Sequence, residues 1–396
     1  MKTKEIDELL TRGVDEVIGR DELVKKLENK ETIRVKLGID PTSPDLHLGR
    51  SIPLLKLRDF QELGHKIVLI VGDFTGIIGD TSDKESERPM LTEEIIEENK
   101  KTYFEQVGKI LDIEKAELRY NSEWLGKLTY REIGEHANLF SVADFIAREN
   151  IKKRLDEGKR VSLREILYPL MPGYDSVAIE ADVELGGSDQ RFNVLAGRTM
   201  QSGFGQEPQS IITNPLIAGL DGRKMSSSWG NTIKLNDEPN DMYGKVMSLR
   251  DDLLETYFTL CTRLPLTEVE GILKGLKSGD LHPRDAKMKL AQEITTLYHS
   301  KDEAVQAEKA FVATFQKGEL PEEMQEIKCS KGDKLGEVLV NEEVVPSKSQ
   351  WRRLVDGGGV HFVSNQDKKT IEDVDELVDK EEVVRIGKRH FVKIIL

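Results

Sequence analysis

The sequence predicts an α/β protein: a doubly wound parallel sheet interrupted by a helical insertion, then an α-helical domain and a small α+β module. Three observations carry this. Residues 36–50, KLGIDPTSPDLHLGR, read as the end of a strand, a proline-broken turn and the start of a helix. Residues 67–71, IVLIV, are apolar without alternation, the mark of a strand buried on both faces and hence of a parallel sheet. Beyond residue 237 such runs stop and helical patterns dominate.

Taken in order, residues 1–30 predict one or two amphipathic leader helices, with Leu9, Leu10, Val14, Val17, Leu23 and Leu27 near helical spacing. Residues 32–39 (TIRVKLGI) have the β-branched content of a strand. A helix is expected from Leu46, capped by Asp45 and carrying apolar Leu48, Leu55, Leu57 and Leu63. Pro53 falls in its first turns or kinks it. The second strand runs into a loop at 72–83 rich in Gly, Asp and Thr, at the sheet edge where ligands bind in open α/β folds. Residues 91–165 look mostly helical, and NSEWLGKL inside them predicts a short strand. Alternation at Val177, Ile179, Ala181 and Val183 predicts a strand leading to Gly186-Gly187, with Ser188 or Asp189 capping the next helix. Residues 211–217 (IITNPLI) predict a further strand, weakened by Pro215. The expected domains are 1–235, with the insertion at about 125–165, then 236–328 and 333–396, the last two joined by a charged linker at 318–330.

The chain has 396 residues, with 58 basic and 72 acidic side chains for a net charge of −14. That argues against a globally basic nucleic-acid binder but leaves room for a local patch. The tail is less acidic, with basic clusters at Lys348, Arg352 and Arg353 and at Arg385, Lys388 and Arg389. Cys261 and Cys329 lie far apart without metal-ligand spacing, so neither a zinc site nor a disulfide framework is expected, and a reducing cytoplasm fits. The start MKTKEIDELL has no apolar signal core, and no run reaches the roughly 18 to 20 apolar residues of a membrane span. A soluble, cytoplasmic protein is expected.

Two stretches carry chemistry. A turn feeding a helix, as at 36–50, leaves backbone N–H groups where an anion can sit. Arg223-Lys224-Met225-Ser226-Ser227-Ser228 places a lysine among hydroxyls on a polar loop, a means of holding a transferring phosphate. In this order the two stretches resemble the paired signatures of class I aminoacyl-tRNA synthetases. Tyr168, Gly173-Tyr174-Asp175 and Gly186-Gly187-Ser188-Asp189-Gln190 narrow the resemblance to the bacterial tyrosyl-tRNA synthetases, over nearly the whole chain.

The resemblance implies a Rossmann-like catalytic domain, an α-helical domain on the anticodon side and a C-terminal RNA-binding module of ribosomal-protein type. It implies activation of L-tyrosine with ATP, then transfer to the 3′ end of tRNA(Tyr). Gly38, Asp40, Thr42, His47 and Gly49 would line the ATP site, with Gly186, Gly187 and Asp189 under the ribose. Thr42, His47, Arg50 and Lys224, helped by Ser226 and Ser227, would serve the phosphates. Asp175 would accept the phenol hydrogen bond, while Lys36, Asp80, Tyr168 and Gln190 complete the tyrosine pocket. Lys348, Arg352 and Arg353 would contact tRNA. Mg²⁺ would arrive with ATP, with no protein-bound metal, and the family is homodimeric through the insertion.

This sequence departs from the family pattern at four places. Arg50 stands for the second histidine of the first signature, Pro172 for a glutamine, and Lys36 for a tyrosine near the phenol. Thr81-Ser82-Asp83 stands for Pro-Ser-Gly. Two alternatives remain at this level: a paralogue that hands its adenylate to another acceptor, and an RNA-binding protein with an inactive catalytic domain. A dinucleotide oxidoreductase is disfavoured, because no GxGxxG follows the first strand.

Overall fold

The computed structural model describes residues 3–80, 90–314, 324–364, 368–387 and 390–396. Residues 81–83, Lys388, Arg389 and the 318–323 part of the expected linker lie outside them. The chain divides into two units, Met1–Lys301 and Asp302–Leu396.

The first unit is built on β1 (Glu16–Ile18), β2 (Arg34–Ile39), β3 (Lys66–Val71), β4 (Ala116–Tyr120), β5 (Val183–Gly187) and β6 (Ser210–Asn214), in spatial order β1-β6-β5-β2-β3-β4. β2 to β6 are mutually parallel and β1 pairs antiparallel to β6. From β2 the chain winds outward to β3 and β4, then returns to place β5 on the other side of β2. The reversal opens a crevice beyond the C-terminal ends of β2 and β5, the usual ligand position in such sheets. Residues 67–71 are buried, as their unbroken apolar run requires.

The helix after β2 is Leu48–Glu62, two residues later than expected, with His47 rather than Asp45 at its N-cap. The delay has a cause. The Leu46 carbonyl accepts from Leu235 N–H at 2.9 Å, Leu48 N–H donates to the Ile233 carbonyl at 2.9 Å, and Asp45 is paired with Lys234 at 2.6 Å. Pro53 lies inside the helix, where its missing N–H leaves the Gly49 carbonyl without an intrahelical donor. Both residues border the cavity described below.

Other boundaries differ from expectation. The leader contains β1 between helices Thr3–Leu9 and Arg20–Glu28. The strand expected in NSEWLGKL is instead β4 just before it, and Ser122–Leu125 is a helical turn. Residues 170–178 form a helix, so only Val183–Gly187 of the expected strand is extended. That helix closes in a Schellman arrangement, with Glu180 left-handed (φ 51°), Ala181 N–H on the Ser176 carbonyl and Glu180 N–H on the Val177 carbonyl. Neither Ser188 nor Asp189 caps the next helix, Arg191–Gly203, because Ser188–Gln190 form a 3₁₀ turn and Asp189 has another partner. β6 stops before Pro215.

Helices Pro239–Met247, Leu254–Cys261, Leu266–Ser278 and Pro283–Tyr298 belong to the first unit. Tyr298 Oη donates to Ser51 Oγ at 2.8 Å, and Arg12 donates to the Thr262 and Leu264 carbonyls at 2.7 and 2.9 Å.

The second unit holds a sheet of β7 (Gln325–Lys328), β8 (Val360–Val363), β9 (Lys368–Thr370), β10 (Glu382–Ile386) and β11 (His390–Ile395), in order β7-β11-β10-β8-β9. Helices Leu335–Asn341 and Lys348–Asp356 share its core of Leu335, Leu339, Trp351, Val355, Val384 and Val392. β7 falls in the stretch expected as a linker. Only Ile327 of its four residues is buried, so no apolar run announces it. A Cβ on Gly336 would lie 2.3 Å from the Trp351 ring, so that close approach requires glycine. Among the described residues no helix is long and apolar enough to cross a membrane.

Candidate active site

A cavity of about 310 Å³ occupies the crevice between β2 and β5. It is lined by both sequence signatures and by the residues expected to hold tyrosine. β2 contributes Lys36 and Gly38, and the turn after it Asp40, Thr42, His47, Gly49 and Arg50. Asp80 follows β3, and Tyr168 and Asp175 come from the 163–178 region. β5 and the turn after it supply Gly186, Gly187, Asp189 and Gln190; the loop after β6 supplies Lys224, Ser226 and Ser227. A Cβ on Gly38 would meet nothing within 4 Å, so the strand borders open space there. Lys348, Arg352 and Arg353 are exposed on the helix Lys348–Asp356 of the second unit, where Lys348 pairs with Glu337 at 2.7 Å.

At the inner end Asp175 accepts from Trp124 Nε1 at 2.7 Å and Asn121 Nδ2 at 3.2 Å. Burial pushes its carboxyl up to about 6, against the pull of Lys36 and these two donors. A hydrogen-bonded chain continues outward. Asn121 donates to Thr75 Oγ1 at 2.9 Å, Thr75 to Asp40 Oδ1 at 2.6 Å, and Tyr168 Oη to Asp40 Oδ2 at 2.7 Å. Burial also raises the Asp40 carboxyl. Gln190 Nε2 donates to Asp80 Oδ2 at 2.8 Å and its Oε1 accepts from Asn193 at 2.8 Å, so its amide is fixed in orientation.

Lys36 is 0 % exposed and its ammonium spends three donors inside the protein, on Glu184 Oε1 at 2.7 Å, Ser176 Oγ at 2.8 Å and the Pro172 carbonyl at 2.8 Å. Glu184 also accepts from Ser176 and Gln209. Two departures from the family pattern, Lys36 and Pro172, are thus in direct contact. Pro172 sits in the first turn of its helix, where no backbone N–H is needed. Lys36→Met should leave Glu184 buried without its counter-ion and cost about 3–5 kcal/mol in urea unfolding, most of it regained in Lys36→Met/Glu184→Gln. A single-variant loss below about 1 kcal/mol, the range of a surface pair, would show the ion pair to be unimportant.

At the outer end Arg50 donates to the Asp40 carbonyl at 3.1 Å, Thr42 Oγ1 at 3.1 Å and Tyr103 Oη at 3.2 Å. Burial first, then the Arg50 and Lys224 charges, push the His47 imidazole down to about 3. It is therefore neutral near pH 7, and its buried Nδ1 has no hydrogen-bond partner among the described residues. Lys224 Nζ lies 2.8 Å from Asp189 Oδ2. Its loop is shaped by Asn231, which accepts from Ser226 N–H at 2.9 Å and donates to the Lys224 carbonyl at 3.0 Å and Asp221 at 2.7 Å. Met225 closes over the first signature, its sulfur accepting from Gly49 N–H at 3.3 Å.

Sequence reasoning missed Asn121, Trp124, Thr75, Ser176 and Glu184. No sequence signal marked Asn121 and Trp124, because the half-buried strand they follow, AELRY, carries no apolar run.

A nucleotide-sized cleft at the switch point of a doubly wound sheet, with a cationic loop facing a proline-broken turn, is the construction of a class I synthetase. Residues 28–316 match the family model described as tRNA synthetases class I (W and Y), and the chain belongs to that family. It is 46% identical to a tyrosine–tRNA ligase of Thermotoga maritima over 100% of this chain and 98% of that one. A tyrosine–tRNA ligase of Moorella thermoacetica is 46% identical over 98% and 94%. Among solved structures, a C-terminally truncated mitochondrial tyrosyl-tRNA synthetase of Coccidioides posadasii superposes with TM-score 0.64 at 24% identity, covering 78% of this chain and 92% of that one. The Archaeoglobus fulgidus tyrosyl-tRNA synthetase complexed with L-tyrosine gives 0.62 at 24% identity, covering 77% and 99%. At this identity both likenesses speak for the fold.

Proposed function

We infer that this chain is a tyrosine–tRNA ligase that joins L-tyrosine to ATP and passes the tyrosyl group to tRNA(Tyr). The carrying observation is one cavity with two unlike ends. The inner end closes on a buried carboxylate held by Trp124 and Asn121, suited to a phenol hydroxyl. The outer end presents Thr42, neutral His47, Arg50 and Lys224, suited to a polyphosphate.

In the first step a tyrosine carboxylate oxygen attacks the α-phosphorus of ATP. The new O–P bond forms as the bond to the β-phosphate bridging oxygen breaks, and pyrophosphate leaves. No general base is needed, because the nucleophile is already ionised; the protein aligns the groups and stabilises the developing charge. Asp80, Tyr168 and Gln190 orient the amino and carboxylate groups. Gly38, Asp40, Gly49, Gly186, Gly187 and Asp189 frame the nucleotide, and Ser226 and Ser227 add hydroxyl donors beside Lys224. Cations and hydroxyls line the phosphate end, a donor set suited to phosphate, and Mg²⁺ would be carried there by the ATP phosphates, where it would offset their charge. In the second step the 3′-terminal hydroxyl of tRNA attacks the tyrosyl carbonyl and AMP leaves.

Tyrosine-dependent ATP–pyrophosphate exchange tests the first step and tRNA charging the second. Exchange without charging would favour a paralogue with another acceptor, a reading motivated by Arg50 and Pro172.

The segment roles are part of the same reading: catalysis in 1–235, anticodon-side contacts in 236–328, and RNA contact through Lys348, Arg352 and Arg353 in 333–396. Because β7 is a strand of the second sheet, a dividing cut must precede it. A chain ending at residue 314 should keep exchange within about threefold while charging falls on the order of 10²-fold, as phosphate contacts are lost. Equal loss of both would remove the division of labour.

The insertion exposes Tyr130 (94 %), Val142 (69 %) and Leu163 (72 %), apolar surface of the kind a partner covers. The reading therefore includes a homodimer through this region and places its work in the cytoplasm. Sedimentation at twice the 44.8 kDa chain mass checks it, and a monomer at micromolar concentration would refute it.

A further inference from the structure

The phosphate-facing turn after β2 contains Pro41 and Pro44, which have no N–H to give. Within it Thr42 N–H donates to the Asp40 carbonyl at 2.8 Å. Other groups are met from residues 99–106, a stretch outside both signatures, on the helices Glu93–Lys100 and Tyr103–Gly108. Asn99 Nδ2 donates to the Pro41 carbonyl at 2.9 Å and Thr102 Oγ1 to the Pro44 carbonyl at 2.8 Å. Gln106 works on both sides of the turn, its Nε2 donating to the Pro44 carbonyl at 2.9 Å and its Oε1 accepting Leu46 N–H at 2.7 Å. Tyr103 Oη accepts from Arg50 at 3.2 Å, and that guanidinium also holds Thr42 Oγ1. Asn99 lies at the end of the first helix and Thr102, Tyr103 and Gln106 at the start of the second, so two consecutive helices present these side chains to the turn.

We propose that Gln106, supported by Asn99 and Tyr103, is a positioning residue for adenylate formation: it holds the turn so that Thr42 and His47 meet the ATP phosphates. This rests on the tyrosine–tRNA ligase reading and adds to it the element that sets the turn's geometry. Gln106 is 0 % exposed, and its amide is the partner of the residue directly before His47. A buried amide with both ends engaged fixes distance as well as identity. Arg50, the residue that replaces the second signature histidine, is anchored by the same helix through Tyr103. The groups at the phenol end, Asp175, Trp124 and Asn121, come from other elements, so loosening the turn should change ATP chemistry and leave tyrosine binding as it is.

The intact chain and its Gln106→Leu, Gln106→Glu and Tyr103→Phe variants are compared by single-turnover adenylate formation, ATP KM in exchange, and tyrosine Kd by equilibrium dialysis without ATP. Gln106→Leu should slow adenylate formation about 10- to 100-fold, the scale of a misplacement near 1 Å. Gln106→Glu, which keeps an acceptor for Leu46 N–H, should recover part of the rate, and tyrosine Kd should stay within about twofold of the parent in both. A parental rate for Gln106→Leu overturns the proposal. So does a rate loss matched by an equal loss of tyrosine affinity, which marks general loosening. Should Gln106→Leu not fold, Tyr103→Phe decides: a severalfold slower step with unchanged tyrosine Kd supports the proposal, and a parental rate overturns it. A parent chain without tyrosine-dependent exchange would instead remove the functional reading beneath.

Discussion

Lys224→Ala should slow tyrosyl-adenylate formation on the order of 10²-fold or more, about 3 kcal/mol, with tyrosine affinity nearly unchanged. The ammonium lies 2.8 Å from Asp189 Oδ2, on the side of the cavity proposed for the ribose. A ribose hydrogen-bonded to Asp189 would compete for that carboxylate and free Lys224 to turn toward the phosphates. The lysine then meets charge that grows as pyrophosphate departs, which is why its loss should appear in the rate rather than in ground-state tyrosine binding. Asn231 supports the loop from beneath, so the alanine variant should keep the loop's shape. Lys224→Arg keeps the charge with a different reach and should recover only part of the rate. Single-turnover measurements at saturating ATP and tyrosine separate this from a solvated loop lysine, whose replacement changes little. An alanine variant within roughly threefold of the parent would leave the loop without a catalytic role.

The residues that could be read from sequence are those whose neighbours in space are also neighbours in the chain. The 36–50 corner and the 223–228 loop are each complete within a few residues, and both reach the cavity they were expected to share. Tyr168, Asp175 and the turn at Gly186–Gln190 arrive there too, although the intervening chain was misread. At 177–183 an alternation of apolar residues looks like a strand, whereas Pro169 and Pro172 favour a helix start and Glu180 takes the left-handed turn that ends it. What stayed hidden depends on long-range partners. β4 (AELRY) is a half-buried edge strand with no apolar run, so the Asn121 and Trp124 that follow it gave no sign of facing Asp175. Lys36 reads as a polar interruption of a strand until Glu184, far along the chain, is seen beside it. The change of texture after residue 237 marks helices correctly, but it cannot tell that those up to Lys301 dock into the first unit.

Asp175→Asn should trade substrate recognition for stability, and the two effects carry opposite signs. The carboxylate accepts from Trp124 and Asn121 and still has lone pairs for the phenol hydroxyl. An asparagine offers one acceptor atom and turns an NH₂ toward either Asn121 or the substrate, so a donor faces a donor. Tyrosine kcat/KM in exchange should fall on the order of 10²-fold, about 3 kcal/mol, the scale of losing a buried charge-assisted hydrogen bond. Phenylalanine should lose far less, narrowing the discrimination. A site built to pair a hydroxyl rejects the analogue lacking it, and tyrosyl-tRNA synthetase is itself the standard case of that rule. Stability moves the other way. Burial raises the Asp175 carboxyl from its ordinary 3.8 to about 6, so between those values the folded chain holds a proton that the unfolded chain has released. Stability therefore drops as pH rises through this window, and above it the buried charge costs on the order of 3 kcal/mol at most. Asparagine removes that cost, less whatever the weakened Trp124 and Asn121 bonds return. The variant should melt a few degrees above the parent at pH 7.5, keep about half of that margin at pH 5, where only the unfolded chain has released the proton, and lose it below the ordinary 3.8. A variant that melts lower at pH 7.5 would show that the carboxylate stabilises the fold, and unchanged tyrosine kinetics would move the phenol contact elsewhere.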